Sequence, residues 1–208
     1  MVYTTPDKIR SLLNLSLDEV SDTVLNDFIE KAQKQLLEWI ATRVEMEPLT
    51  SYSETVYLTK HRHIADINFD KNIDKNDVSV YTIDEDGSIN YLSVKSVVSE
   101  TGRIELESGT EETVYCDYYY YDRKPDWTLI ELATTLIASM MVVRRELGLT
   151  PEAFSLGTLS VRYSVTRQGA DRLKDLHSNL VEVIHMLTDR VIVISEKSTL
   201  DIEREDVI

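Results

Sequence analysis

The sharpest local motif in the chain is Asp66-Ile67-Asn68-Phe69-Asp70-Lys71-Asn72-Ile73-Asp74-Lys75-Asn76-Asp77. Oxygen-bearing side chains stand at its positions 1, 3, 5, 9 and 12, which are Asp66, Asn68, Asp70, Asp74 and Asp77, with Ile73 at position 8. Closely spaced carboxylates and amides of this kind are what a hard cation such as calcium takes as ligands, because calcium needs several oxygens on a flexible loop.

The spacing is similar to the calcium loop of dockerins and EF-hands. Two departures matter. Lys71 stands at position 6, where the sharp turn favours glycine. The residues that follow, Val78-Ser79-Val80-Tyr81, read as a strand and not as an exit helix. An acidic loop between strands accounts for the same residues, so no metal or cofactor is assigned. A calcium-binding interaction module using residues 66–77 stands as the alternative reading of function.

Other reactive residue types give less. His61 and His63 flank Arg62, and alternate residues of a strand share a face, but no third zinc ligand lies near them in sequence. His177 and His185 are ordinary helix residues, too far apart for one metal. Cys116, the only cysteine, alternates with Val114 and Tyr118 and reads as a small buried apolar thiol. No G-x-S-x-G elbow and no glycine-rich phosphate loop occurs, so the sequence is read as that of a non-enzyme.

Surfaces for partners are easier to find. In Tyr118-Tyr119-Tyr120-Tyr121, period two sends Tyr118 and Tyr120 to one face and Tyr119 and Tyr121 to the other. One pair can enter the core, leaving Tyr119 and Tyr121 as amphipathic contact surface; the other reading packs both faces within the domain. Val191, Ile192, Val193 and Ile194 form a β-branched run after a helix, and Leu200 and Ile202 lie in the charged tail beyond. Apolar side chains left in water call for a partner strand or groove.

Several elements position these residues. Thr5-Pro6 opens a short helix to about Asn14. Ser21 or Asp22 caps a longer one, with Leu25, Phe28, Ile29, Ala32, Leu36, Ile40 and Val44 at helical steps, predicted to stop before Pro48. Short β-rich runs follow at 55–59, 78–83, 89–94, 97–98, 103–106 and 113–120, separated by Asp84-Glu85-Asp86-Gly87, Glu100-Thr101-Gly102 and Ser108-Gly109.

Pro125-Asp126 then opens the most apolar helix, closed by Arg144, Arg145 and Gly148. Its uncharged run, residues 132–143, is shorter than the roughly 20 residues a bilayer span needs, so it reads as a core helix. Residues 154–164 alternate like a strand. A last helix from about Gly169 to Arg190 carries Leu173, Leu176, Leu180, Val183 and Leu187, a seam for another helix. The expected fold class is α+β: a helical-bundle core (1–50 and 122–194, with the short strand 154–164), an inserted antiparallel β-rich module (51–121), and a C-terminal helix continued by an extended arm (195–208).

Composition narrows the partners. The 208-residue chain is 42% hydrophobic with 6 glycines and 4 prolines, enough to bury a core. Its net charge of -15 disfavours phosphate-clamping nucleic-acid binding and anionic membrane surfaces. The start, Met-Val-Tyr-Thr-Thr-Pro-Asp-Lys, lacks an apolar signal region, so synthesis in the cytoplasm is expected.

The order of segments carries a further likeness. Thr5-Pro6-Asp7-Lys8-Ile9-Arg10 leads to Leu36-Leu37-Glu38-Trp39-Ile40. Gly102-Arg103-Ile104-Glu105-Leu106 and Thr113-Val114-Tyr115-Cys116-Asp117-Tyr118-Tyr119-Tyr120 come next. Pro125-Asp126-Trp127-Thr128-Leu129 and Ser155-Leu156-Gly157-Thr158-Leu159 close the series. This arrangement resembles the head–tail connector (adaptor) proteins of tailed phages and related archaeal viruses. The resemblance implies a structural protein of the virion neck, made in the host cytoplasm. It implies a homo-oligomeric ring of about twelve copies between the portal protein and a stopper or tail-completion protein. DNA would pass through the channel without specific binding, the helical parts would form the ring body, and the C-terminal arm would engage the portal or a neighbour.

Overall fold

The computed structural model describes residues 3–146 and 167–188. The expected strand at 154–164, the Gly148 cap, Val191–Ile194, Leu200, Ile202 and the arm 195–208 lie outside the described residues.

Helix α1 (Pro6–Leu13) starts as its residues dictate. Thr5 is the extended residue ahead of it, Pro6 occupies the first turn, and Asn14 closes it in a left-handed conformation at φ 51°. Helix α2 (Asp22–Ile40) takes its first backbone bonds from Val24 and Leu25 to the Ser21 carbonyl, each at 3.1 Å. Helix α3 (Trp127–Glu146) is N-capped by Asp126, whose carboxylate accepts the N–H of Thr128 at 2.9 Å and of Leu129 at 3.3 Å. Helix α4 (Arg167–Leu187) buries the predicted seam of Leu173, Leu176, Leu180, Val183 and Leu187.

Helix α3 has 20 residues, so the sequence argument from length falls: length and composition alone suffice to cross a membrane. What marks it as a core helix is burial, since 72% of its most apolar window lies inside the protein. Even its polar residues Thr134 and Ser139 and the Arg144 side chain are covered.

The expected helical-bundle core is not what forms. The described residues make an α+β fold with four helices and two antiparallel four-stranded sheets. The first sheet comprises β1 (Ala41–Pro48), β4 (Val78–Ile83), β5 (Ile89–Tyr91) and β8 (Tyr115–Tyr121), in the order β1-β8-β4-β5. The second comprises β2 (Thr50–Ser51), β3 (Val56–Leu58), β6 (Val94–Val98) and β7 (Arg103–Leu106), in the order β2-β3-β7-β6. Residues 41–47, read as helix from the Ile40-to-Val44 spacing, instead run along β8, with Ala41 opposite Tyr121 and Val44 opposite Tyr118.

One hydrophobic core joins both sheets: Val78, Val80, Cys116 and Tyr118 of the first meet Tyr57, Val94, Ile104 and Leu106 of the second, together with Leu49, Ile64 and Val114. Turn chemistry fixes the connections. Gly87 sits at φ +86° and closes its turn through its N–H to the Asp84 carbonyl at 2.9 Å. Gly102 is also left-handed, at φ +68°, and a Cβ there would stand 2.7 Å from the His61 carbonyl.

The chain divides into two compact units. One gathers Gln33–Ile130 and holds both sheets; the other gathers Thr4–Ala32 and Glu131–Met186 and is helical in its described residues.

Candidate functional site: the acidic loop and its surroundings

The loop 66–77 connects Ile64, which bridges to Tyr120, with the start of β4, and a 3-10 turn (Lys75–Asp77) forms its last part. Its geometry follows from its carboxylates. Asp66 is fully buried and accepts the N–H of Asp70 at 3.2 Å on one oxygen and of Lys71 at 2.7 Å on the other. Asp77 is also fully buried; one oxygen accepts Ile67 N–H at 2.8 Å and Asn68 N–H at 3.4 Å, the other Asp74 N–H at 2.8 Å.

Asn68, Asp70 and Asp74 each bond the backbone N–H two residues on, to Asp70 at 3.0 Å, Asn72 at 2.7 Å and Asn76 at 2.8 Å. Lys71 takes the left-handed conformation, φ 67°, that position 6 demands, although it is not glycine, and Phe69 does so at φ 63°.

These bonds set the electrostatics. Burial pushes the Asp77 carboxyl up to about 6, aided by the Asp66 charge and opposed by the N–H groups of Asp74, Ile67 and Asn68. Burial likewise raises Asp66, against the N–H groups of Lys71, Phe69 and Asp70. Both oxygens of each buried carboxylate are engaged by backbone donors, and among the described residues no group of three or more His, Cys, Asp or Glu is arranged to hold a metal ion.

Sequence reasoning missed the lid on this loop. Tyr3, buried, donates its hydroxyl to the Asp66 carbonyl at 3.2 Å. Its ring meets Phe69 edge-on at 5.6 Å and Trp127 at 5.9 Å. Burial first, then the neighbouring Tyr121 and Asp66, raise the Tyr3 hydroxyl far above its ordinary range. No periodic signal at the chain's start pointed to this contact.

The tyrosine run divides otherwise than expected. Tyr121, proposed as contact surface, is 3% exposed, with its N–H on the His63 carbonyl at 2.9 Å. Its partner Tyr119 is half-buried, as is Tyr120, while Tyr118 is in the core. Tyr121 is covered by the protein itself and offers no free surface, whereas Tyr119 keeps part of its side chain in solvent. His61 is not a ligand in waiting: its ring stacks on Tyr120 at 4.0 Å and 8°. His63 is left-handed at φ 59°, so the two rings do not share a strand face. Cys116 is fully buried and its thiol is pushed up by that burial, as a core residue.

Large apolar side chains are exposed elsewhere among the described residues. Ile89 (51% exposed) and Tyr91 (73%) sit on β5, an edge strand of its sheet, and Tyr52 and Leu17 are also in solvent. No protein-family model matches this chain, and no curated protein matches it.

Proposed function

We propose that this protein is a structural head–tail connector: an oligomeric ring in the neck of a tailed virion, between the portal protein and a stopper or tail-completion protein. The observation that carries the reading is the order of sequence signatures from Thr5-Pro6 through Gly102-Arg103-Ile104 and Pro125-Asp126-Trp127 to Ser155-Leu156-Gly157. The exposed Ile89 and Tyr91 on an edge strand support it, as unpaired strand edges and large apolar side chains are what subunit interfaces cover. The net charge of -15 supports a channel lining that repels phosphate, so that DNA slides past without adhering.

The alternative, a calcium-binding interaction module, draws only on the loop's residue types, because its two buried carboxylates are already bonded to backbone N–H groups. Deleting the gene in the virus that encodes the protein tests the connector reading. The expected result is DNA-filled heads that fail to join tails; tailed, infectious particles in its absence would overturn it.

A further inference from the structure

We infer that the free edge of β5 takes residues 190–194 of a second copy of this chain as an added strand. The inference rests on the connector reading only in that copies meet one another, and it names the contact that joins them. β5 pairs with β4 on one side. Just beyond it, the Leu92 N–H donates to the Val80 carbonyl of β4 at 2.8 Å; just before it, the Ser88 carbonyl accepts the Asp84 N–H at 2.9 Å. Backbone groups alternate in direction along a strand, so Asn90 faces β4 while Ile89 and Tyr91 turn their N–H and C=O groups outward. Among the described residues no strand meets them. Their side chains are exposed as well, and an edge both unpaired and apolar is a template for another strand.

Charge says which strand. At the Ile89 end of this edge, Asp84, Glu85, Asp86 and Glu112 surround Ile83, and among the described residues none of these four acids is paired with a cation. Arg190-Val191-Ile192-Val193-Ile194 sets one cation ahead of four β-branched residues. Laid parallel to β5, it brings Arg190 to the acidic end and its β-branched side chains alongside Ile89 and Tyr91, neighbours that suit a pleated, half-buried surface.

The segment comes from a different molecule. The Thr188 hydroxyl donates to the Asp122 carboxylate at 3.3 Å, directly after the end of β8. The acidic turn lies past the other end of that strand, since Tyr115 stands opposite Tyr81 and Asp84 is further on. Tyr115 to Asp122 spans about 23 Å of strand, whereas the step from Thr188 to Arg190 reaches at most about 7 Å. Arg190 therefore falls short of the turn in its own chain. An edge that takes the tail of the next copy is a heterologous contact, which repeats around a ring.

Sedimentation velocity of the full chain up to hundreds of micromolar, at low and high salt, tests this. The wild type is expected to assemble with rising concentration, less at high salt. An edge variant (Ile89→Lys with Tyr91→Lys) and a tail variant (Ile192→Lys with Ile194→Lys) should each stay monomeric. Mixed equally, they should form a heterodimer and nothing larger, because one intact edge meets one intact tail. A wild type that stays monomeric overturns the added strand and leaves the connector reading to its own test with the portal protein. Variants that assemble as the wild type does, or a mixture that stays monomeric, overturn it too. Should the edge variant fail to fold by circular dichroism, Arg190→Glu decides: assembly weakened about tenfold at low salt is expected, and unchanged assembly contradicts the inference.

Discussion

The Met46 backbone N–H donates to the Asp117 carboxylate at 2.7 Å, across the point where β1 slips in register against β8. The same carboxylate oxygen accepts the Tyr81 hydroxyl at 2.8 Å, so one side chain closes a bulge and ties β4 to it. Met46 lies at φ 52°, and the bulge turns the next residue, Glu47, to accept the Tyr118 hydroxyl at 2.9 Å and the Lys60 N–H at 2.6 Å. Asp117→Ala is expected to lower unfolding free energy by about 1–3 kcal/mol, because it strips an acceptor from two donors. Denaturant midpoints at neutral pH check this; an unchanged midpoint would mean water replaces the carboxylate at no cost.

Arg10 ties the connection between α1 and α2. One of its nitrogens bonds the Val20 carbonyl at 2.9 Å and the Asp22 carboxylate, while another reaches Asp7 at 3.4 Å. Arg10 is buried while Asp22 is largely exposed, so the carbonyl bond matters more than the ion pair. Arg10→Met is expected to cost about 1–3 kcal/mol. Arg10→Lys should fail to restore it, since a single ammonium cannot reproduce the guanidinium fork. Thermal unfolding in low and high salt separates the contributions: a loss abolished by salt would assign the effect to the ion pair instead.

Cys116 lies in the core between the sheets with its thiol raised by burial. A thiol-specific reagent should leave the native protein unlabelled and label it fully in denaturant. Rapid labelling of the native protein would show that the two-sheet core opens readily.

Loop 66–77 should give no heat on titration with millimolar calcium, because the oxygens of Asp66 and Asp77 are satisfied internally. Lys71→Gly is expected to raise stability by up to about 1 kcal/mol by relieving a left-handed backbone at φ 67°. Saturable heat from the wild-type loop would favour the calcium module over the connector reading.

Much of the sheet region was legible, because strands and turns there are written locally. The residues 78–83 and 103–106 were read as strands and form β4 and β7, bounded by turn glycines Gly87 and Gly102 that only a residue without Cβ accepts comfortably. The end of α2 was not legible. Ile40 and Val44 continue the helical spacing, whereas Ala41 to Val44 also suit a strand, and the deciding partner, β8, lies far along the chain.

The same remoteness hid the two-sheet architecture behind an expected helical bundle. Alternation placed Tyr121 on the opposite face from Tyr118 but could not say that Tyr121 is covered too. In the loop, residue types predicted a tight acidic turn with a left-handed sixth position. They did not tell whether the carboxylates face a cation or the backbone, which the fold of the loop settles by turning its own N–H groups onto Asp66 and Asp77.

We propose assembly in a virion neck, and mass measurement of the purified full-length protein, alone and mixed with the proposed partner, a portal protein, tests it most directly. The connector reading predicts a discrete complex in which many copies sit on each portal ring, whether or not the free protein is monomeric. A monodisperse monomer that forms no complex with the portal at tens of micromolar would contradict it.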